Sequence, residues 1–556
     1  VLLRVAIDEM PNEEYQRLLR APAADMRQTL IAGSADRTGM RDLLDRWSDA
    51  ELPSLFGNLA GHDLRSLRAA FAEADGVRDQ PTVIFAYTIK GWGLPFAGDP
   101  LNHSAYLTDE QMELLRASLG VTAGEEFDRF PAGSPEGRIC ESVAERLRST
   151  TGSVRATPAE LPAVPLTLGR PYRGYVSTQD VLGRILTDLA REEPELARRI
   201  VTASPDVATS TNLAGWINRA GVFSVDDRPD YFGGKTTPIL RWKETRKGQH
   251  IELGISENNL FLLLGQLGLE REVSGQILLP IGTLYDPFVC RGLDAFIYSV
   301  YSGARFIVAG TPSGITLSPE GGAHQSVITP SIGVELPNVT YYEPCFAQEL
   351  EWIVLSALSS LAAPTSGGSY YLRLTTRPLD QALFPTPQSP AAQAVRRRQV
   401  VDGGYRLRES RTRPDYRPGE NVVNLFASGA VVPEALAAAD ALLDEGIYAN
   451  LINVTSADLL YRRQQQALWA AINAGRGGAA AAFEELVSLD ERRAPVVTVL
   501  DGHPHTLARL GGALGCRCLP LGVTEFGQSG TRADLYNEFR LSPEAILDAC
   551  LIALES

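Results

Sequence analysis

Cysteine is scarce in this chain. Six in 556 residues cannot build a disulfide scaffold, and a reducing cytoplasm is the expected setting. Long apolar runs are also missing. No window approaches the roughly eighteen uninterrupted apolar residues of a membrane-spanning helix. There is no excess of positive charge: the formal net charge is −15, which excludes a nucleic-acid partner held through its phosphates and suits an acidic enzyme surface. No repeat at solenoid spacing is present. No common zinc module appears either. His503-Pro-His505 and Cys516-Arg-Cys518 have the wrong spacing, and small cysteines alternating along a strand read as core. Even an initial methionine is absent. The opening Val1-Leu-Leu-Arg-Val runs straight into structured-looking sequence, so a fragment or a processed chain is expected, with a targeting signal on the original N-terminus left open.

What is there is organised by proline. Two seams, Thr157-Pro-Ala-Glu-Leu-Pro-Ala-Val-Pro165 and Phe384-Pro-Thr-Pro-Gln-Ser-Pro390, lose backbone donors and favour extended chain, so both read as linkers. They separate blocks at residues 1–150, 170–385 and 395–556. The first mixes helices with one buried strand, Thr82–Tyr87. The second alternates helical stretches with the strand-like runs Ile277–Ile281, Arg305–Ala309 and Tyr370–Leu374. The third runs Val422–Phe426, an Ala-rich helix from about Pro433 to Glu445, Ala449–Val454, Val496–Leu500 and a C-terminal helix. Strands alternating with helices predict α/β architecture, with parallel sheets covered on both faces. Ligands in such folds sit beyond the carboxyl ends of strands. Here those places hold Thr88–Gly93, Gly282–Asp286 and Gly310–Gly314.

One stretch carries chemistry: His250-Ile-Glu-Leu-Gly-Ile-Ser-Glu-Asn-Asn-Leu260. Glu257 stands where a strand-like segment meets a helix so apolar (Leu260, Phe261, Leu262, Leu263, Leu264, Leu267) that burial is predicted. A carboxyl group buried there should rise in pKa, as a proton donor near neutral pH requires. The alternative is an ordinary helix start, with Ser256 as cap and Glu257 favoured by the helix dipole. His324 lies in the Gly-rich loop Ser318-Pro-Glu-Gly-Gly-Ala-His-Gln325, which places an imidazole outside any core. Asp206 follows the strand-like Arg199–Thr202 and reads equally as a turn residue. Tyr285 and Phe288, in Leu284-Tyr-Asp-Pro-Phe288, are either a stacking platform or core. His62 and His250 read as structural.

Taken together, these motifs resemble the thiamine-diphosphate-dependent transketolase superfamily, above all its homodimeric pyruvate dehydrogenase branch. Ile7-Asp-Glu-Met-Pro-Asn-Glu-Glu-Tyr-Gln16, Gly61-His-Asp-Leu64 and Thr82–Gly93 are similar to that branch. Ile251–Glu257 and Gly321-Gly-Ala-His-Gln325 are similar to both branches, and Thr524-Glu-Phe-Gly-Gln-Ser529 to their shared C-terminal domain. The resemblance implies a three-layer α/β/α thiamin diphosphate-binding fold with a transketolase C-terminal domain. Block 1–150 would be the later part of the diphosphate-binding domain, 170–385 the pyrimidine-binding domain and 395–556 the C-terminal domain.

The resemblance also implies roles. Glu257 would hydrogen-bond the aminopyrimidine of thiamine diphosphate and stabilise the tautomer whose nitrogen takes the thiazolium proton. His324 and His103 would handle substrate protons. His103 lies in Gly98-Asp-Pro-Leu-Asn-His-Ser-Ala105, where dehydrogenase spacing puts the histidine at Ala105 and the His-Ser-Ala-Tyr pattern puts it at His103. Lys90, Asp206, Tyr285 and Phe288 would line the cofactor site, and Glu320 and Ser210 would face the substrate.

Two departures stand out. The family's Gly-Asp-Gly motif and later Asn, which bind the Mg2+ that grips the diphosphate, are not found in this chain, so no metal ligand is assigned. That motif is expected upstream or on a separate subunit. Positions where sugar-phosphate enzymes carry arginines hold Glu343 and Gln179 here. An acid repels a phosphate, which favours a small 2-oxo acid such as pyruvate, although Ser210 matches a phosphate contact. The expected activity is decarboxylation of that acid with acyl transfer to the lipoyl domain of an acyltransferase component, by a homodimer in the cytoplasm. Transketolase-type ketol transfer, or a subunit that needs a partner for cofactor, are the alternatives.

Overall fold

The computed structural model describes residues 2–152, 161–226, 243–363, 367–475 and 483–555. Its chain divides into two compact units, 1–146 and 147–556.

In the larger unit the apolar runs become strands. Eight of them form one all-parallel sheet, in spatial order Glu244–Thr245, Val222–Phe223, His250–Glu252, Ile200–Ser204, Leu279–Leu284, Ile307–Gly310, Ser369–Arg373 and Val339–Tyr342. Five more make a second sheet, Gly404–Arg406, Tyr448–Val454, Val422–Ser428, Val496–Leu500 and Cys518–Leu521, parallel except for its first, antiparallel edge. Every residue of Val422–Ser428, Tyr448–Val454 and Val496–Leu500 is buried, as strands covered on both faces require. The packing of the larger unit is three-layer α/β/α. No helix among the described residues is long and apolar enough to cross a membrane.

The helix Ala347–Ala362 is buried along most of its length and joins the two sheets into one core. Its Glu349 is fully buried. It accepts from the Cys345 and Phe346 amides at 2.8 and 2.9 Å, and from Tyr405 Oη and Asn453 Nδ2 at 2.6 Å each. Burial pushes its carboxyl up from 4.5 to about 7, against those hydrogen bonds. A folded-state pKa above the unfolded one means a stabilising contribution fully present below pH 4.5 and lost as pH rises to about 7. The wild-type-minus-Glu349→Gln difference in urea-unfolding free energy should therefore fall by about 3 kcal/mol as pH rises across that window. A difference that stays flat with pH would contradict it.

The proline-rich seams are anchored. The part at 153–160 lies outside the described residues. Just beyond it, Thr167 Oγ1, the Leu168 amide and Tyr172 Oη all donate to buried Glu351, at 2.6, 3.0 and 2.8 Å. In the second seam Phe384 is buried against Phe346, Trp352 and Tyr405, and Pro390 begins a helix capped by Ser389, whose Oγ accepts from the Ala392 amide at 3.2 Å.

The smaller unit corrects one expectation. Thr82–Tyr87 is not a buried strand: it has no regular structure, and Val83, Phe85 and Tyr87 are 73%, 83% and 66% exposed. A strand needs a neighbour to take its backbone hydrogen bonds, and the described residues of 1–146 form helices only, around Leu18, Met26, Leu30, Met40, Leu44, Leu52 and Phe56.

Candidate active site

Three adjacent parallel strands, His250–Glu252, Ile200–Ser204 and Leu279–Leu284, end side by side, and the loops beyond their carboxyl ends carry most of the predicted residues. The first loop leads into the helix Glu257–Gly268. Ser256 sits at its N-cap position but makes no capping bond; its Oγ donates to the Leu253 carbonyl at 3.2 Å instead. The helix is amphipathic and not wholly buried. Leu260, Phe261 and Leu264 face the core, while Leu262 is 49% exposed. Gly282 lets the helix lie close, since a Cβ there would come within 2.6 Å of Leu264 Cδ1.

Glu257 is 7% exposed and has a partner that sequence reasoning missed: Arg291 Nη1 donates to its Oε1 at 2.9 Å. Sequence reasoning placed the carboxylate without a counter-charge, and Arg291 supplies one. The same guanidinium lies over the Phe288 ring, 3.7 Å from its centroid. Tyr285 stacks on Phe288 at 6.0 Å, and His324 meets both rings edge-on at 6.0 and 5.6 Å. Glu257, Tyr285, Phe288, His324 and Arg291 thus form one cluster. Arg291 lies 34 residues from Glu257 in the chain, so only the loop after Leu279–Leu284 signals the contact.

That loop is fixed by a second residue the sequence did not single out. Asp286 is fully buried, with Thr329 Oγ1 at 2.6 Å, Arg373 Nε at 3.0 Å, and Ser326 Oγ and Tyr371 Oη also donating to it. Gly310 leaves room for it, because a Cβ there would come within 2.2 Å of Asp286 Oδ1. Arg373 also donates from Nη1 to Glu343 Oε1 at 2.5 Å. Burial pushes the Glu343 carboxyl up while Arg373 pulls it down. Glu343 is 4% exposed, so the expectation that it repels a substrate phosphate is withdrawn: it serves an internal ion-pair network. Gln179 is likewise turned inward, with Nε2 donating to the Ser210 carbonyl at 2.9 Å and Oε1 accepting from Thr311 Oγ1 at 2.7 Å.

Asp206 adopts a left-handed φ of 66°, a conformation Asp tolerates better than most residues. Its amide donates to Glu252 Oε1 at 2.6 Å. Burial works against the Glu252 carboxylate, yet hydrogen bonds from His250 and the Asp206 amide outweigh it and hold the carboxyl below its ordinary value. Ser210 Oγ donates to the Val207 carbonyl at 3.1 Å, and Glu320 is exposed on its loop. His250 is 1% exposed and bonded to Thr202 Oγ1 at 2.9 Å.

Within unit 1–146, Lys90 and His103 form a pair, Nζ to Nδ1 at 2.7 Å. A lysine ammonium can only donate, so Nδ1 accepts and the ring proton sits on Nε2. Both line a cavity of about 750 Å³ with Tyr15, Tyr87 and Asn102. His62 accepts from the Ile89 amide at 2.7 Å and stacks on Trp92, supporting the Lys90 turn from behind.

A carboxylate beside aromatic rings suits a planar heterocycle that donates hydrogen bonds, and an aminopyrimidine fits that description. Among the described residues no group of three or more His, Cys, Asp or Glu side chains is placed to hold a metal ion. His503 and His505 meet ring to ring at 5.0 Å, and Cys516 Sγ contacts the Arg492 carbonyl.

Three family models match in order: a transketolase thiamine diphosphate binding domain over residues 23–132, a pyruvate dehydrogenase E1 component middle domain over 167–380, and a transketolase-like C-terminal domain over 403–542. The pyruvate dehydrogenase E1 component of Pseudomonas aeruginosa is 26% identical over 573 residues, covering 100% of this chain and 62% of its own length. That of Mycobacterium tuberculosis is 27% identical, covering 98% and 59%. A chromosomal transketolase of Cupriavidus necator is 24% identical, covering 90% and 67%. Among solved structures, the transketolase of Campylobacter jejuni superposes with a TM-score of 0.61 at 18% identity, over 88% of this chain and 66% of its own. This chain therefore spans about 62% of the length of a curated relative such as the first.

Proposed function

Because the chain belongs to the transketolase superfamily, three of whose domain models match it in order, we propose that it acts in thiamine-diphosphate-dependent decarboxylation of pyruvate or a related small 2-oxo acid, passing the acyl group to a lipoyl domain. The observation that carries this reading is the buried Glu257 beside the Tyr285–Phe288–His324 aromatic cluster. The cofactor, when bound, supplies the nucleophilic carbon and the electron sink. The protein's part is to hold and move protons and to keep water out. Glu257 would hold a hydrogen bond at the pyrimidine ring, Tyr285 and Phe288 would orient that ring, and His324, half-buried on its loop, would exchange a proton with substrate. Lys90 fixes the His103 tautomer for a second such role.

The similarity to pyruvate dehydrogenase E1 components over the whole chain supports an oxo acid over a sugar phosphate. A homodimer is part of the same reading. Ile255, Leu262, Tyr298 and Tyr301 are 78%, 49%, 70% and 80% exposed on and beside the Glu257 helix and its neighbour Leu293–Tyr301, an apolar surface that a second copy would cover.

The test is an assay of the intact enzyme with thiamine diphosphate and Mg2+. Pyruvate should reduce ferricyanide, and a lipoyl domain should gain the mass of one acetyl group. Turnover of xylulose 5-phosphate without any reaction on pyruvate would replace this reading with ketol transfer.

A further inference from the structure

Arg291 makes the two contacts that the reading above assigns to an aminopyrimidine. Its planar guanidinium donates to Glu257 Oε1 at 2.9 Å and lies 3.7 Å from the centroid of Phe288. A guanidinium and an aminopyrimidine are alike where it matters: both are flat, both present N–H donors in their plane, and both stack on an aromatic face. Glu257 is 7% exposed, so it has little room for a second partner in that direction. A pyrimidine held by the same two groups would have to share them with the guanidinium.

We propose that Arg291 competes with the cofactor for Glu257 and Phe288, so that the pyrimidine enters only after this side chain swings out. Arg291 is built for such a latch. It sits on the Asp286–Gly292 turn, three residues after Phe288, and its side chain is 53% exposed against 9% for its partner. In the single chain, before a second copy covers this face, the guanidinium can therefore leave into water at low cost, as half-exposed ion pairs are weak. The buried carboxylate cannot leave, and it keeps a partner in either state: Arg291 when the latch is closed, the cofactor when it is open. The latch thus spares the protein an unpaired buried charge before cofactor arrives.

The consequence is quantitative. Apparent affinity is the intrinsic affinity multiplied by the fraction of molecules with Arg291 withdrawn. A closed-to-open ratio of about ten makes the cofactor bind about ten-fold more weakly than the open site would.

The inference rests on the assignment of Glu257 and Phe288 to the pyrimidine, and the experiment separates the two. Thiamine diphosphate with Mg2+ is titrated into the full chain, together with any subunit it purifies with, and binding is followed by intrinsic fluorescence in equilibrium and stopped-flow modes. The proteins are wild type, Arg291→Met, Arg291→Gln and Glu257→Gln. Removing the guanidinium in either Arg291 variant should tighten binding about ten-fold and raise the association rate by a similar factor. If both Arg291 variants bind no more tightly than wild type while Glu257→Gln still weakens binding, the latch is wrong and the cofactor assignment stands. If no protein binds, the Arg291 variants included, both are wrong. Melting temperatures of the four proteins check that any loss of binding is not loss of fold, and tighter binding in only one Arg291 variant that remains folded still supports the latch.

Discussion

Glu257→Gln is expected to cut turnover of a 2-oxo acid by about 10²- to 10⁴-fold, the range that a positioned acid or base contributes. Glutamine keeps the shape of the side chain and still fills the space at the start of the Glu257–Gly268 helix. What it lacks is a proton that can be given and taken back. The loss should fall mainly on kcat, because the aromatic contacts of Tyr285 and Phe288 remain. Stability should change little: Arg291 is left without its carboxylate but is half-exposed and can be solvated. Ferricyanide reduction on the intact enzyme, with a melting curve alongside, makes the measurement. Retention of more than a tenth of wild-type turnover would remove Glu257 from the proton path.

Arg373→Met is the second, and it acts on the fold. Arg373 and Asp286 are both fully buried, and Glu343 nearly so. Two carboxylates share one guanidinium, and Ser326 accepts from its remaining donors. Methionine matches the length of the chain but strands both acids without a counter-charge. Breaking a buried pair in this way costs about 3–5 kcal/mol, a large share of a typical folding free energy. The shift in denaturant midpoint reads it directly. The triple change Arg373→Met, Asp286→Asn, Glu343→Gln should recover part of the loss, because no charge is then left unpaired. A single-variant cost under about 1 kcal/mol would mean the acids are already neutral or hydrated. Because Asp286 also holds the Tyr285–Phe288 turn, the single variant should lose cofactor affinity before it unfolds.

The two sheets were legible in the residue order for a simple reason. Strands such as Val496–Leu500 and Tyr448–Val454 are buried on both faces, so their sequences are mostly apolar, broken only by Thr498, Asn450 and Asn453, and announce themselves. Thr82–Tyr87 has the same apolar signature and is not a strand. Apolar character reports a preference for burial. It does not report whether another strand stands beside the segment to accept its hydrogen bonds. Ser256 makes the same point on a smaller scale, because it occupies the capping position and spends its hydroxyl on Leu253.

By itself, then, the sequence determined the α/β class and the order of the strands in the larger unit. These follow from local composition and periodicity, which each segment carries alone, whereas Glu257 and His324 were singled out by the resemblance of their motifs to a known family. Only the tertiary structure decided which charges meet. Arg291 reaches Glu257, Arg373 reaches Asp286 and Glu343, and Glu343 turns away from any substrate toward the core. Those pairings depend on where loops from adjacent parallel strands converge, and a partner 34 or 87 positions along the chain leaves no trace in the spacing of either residue.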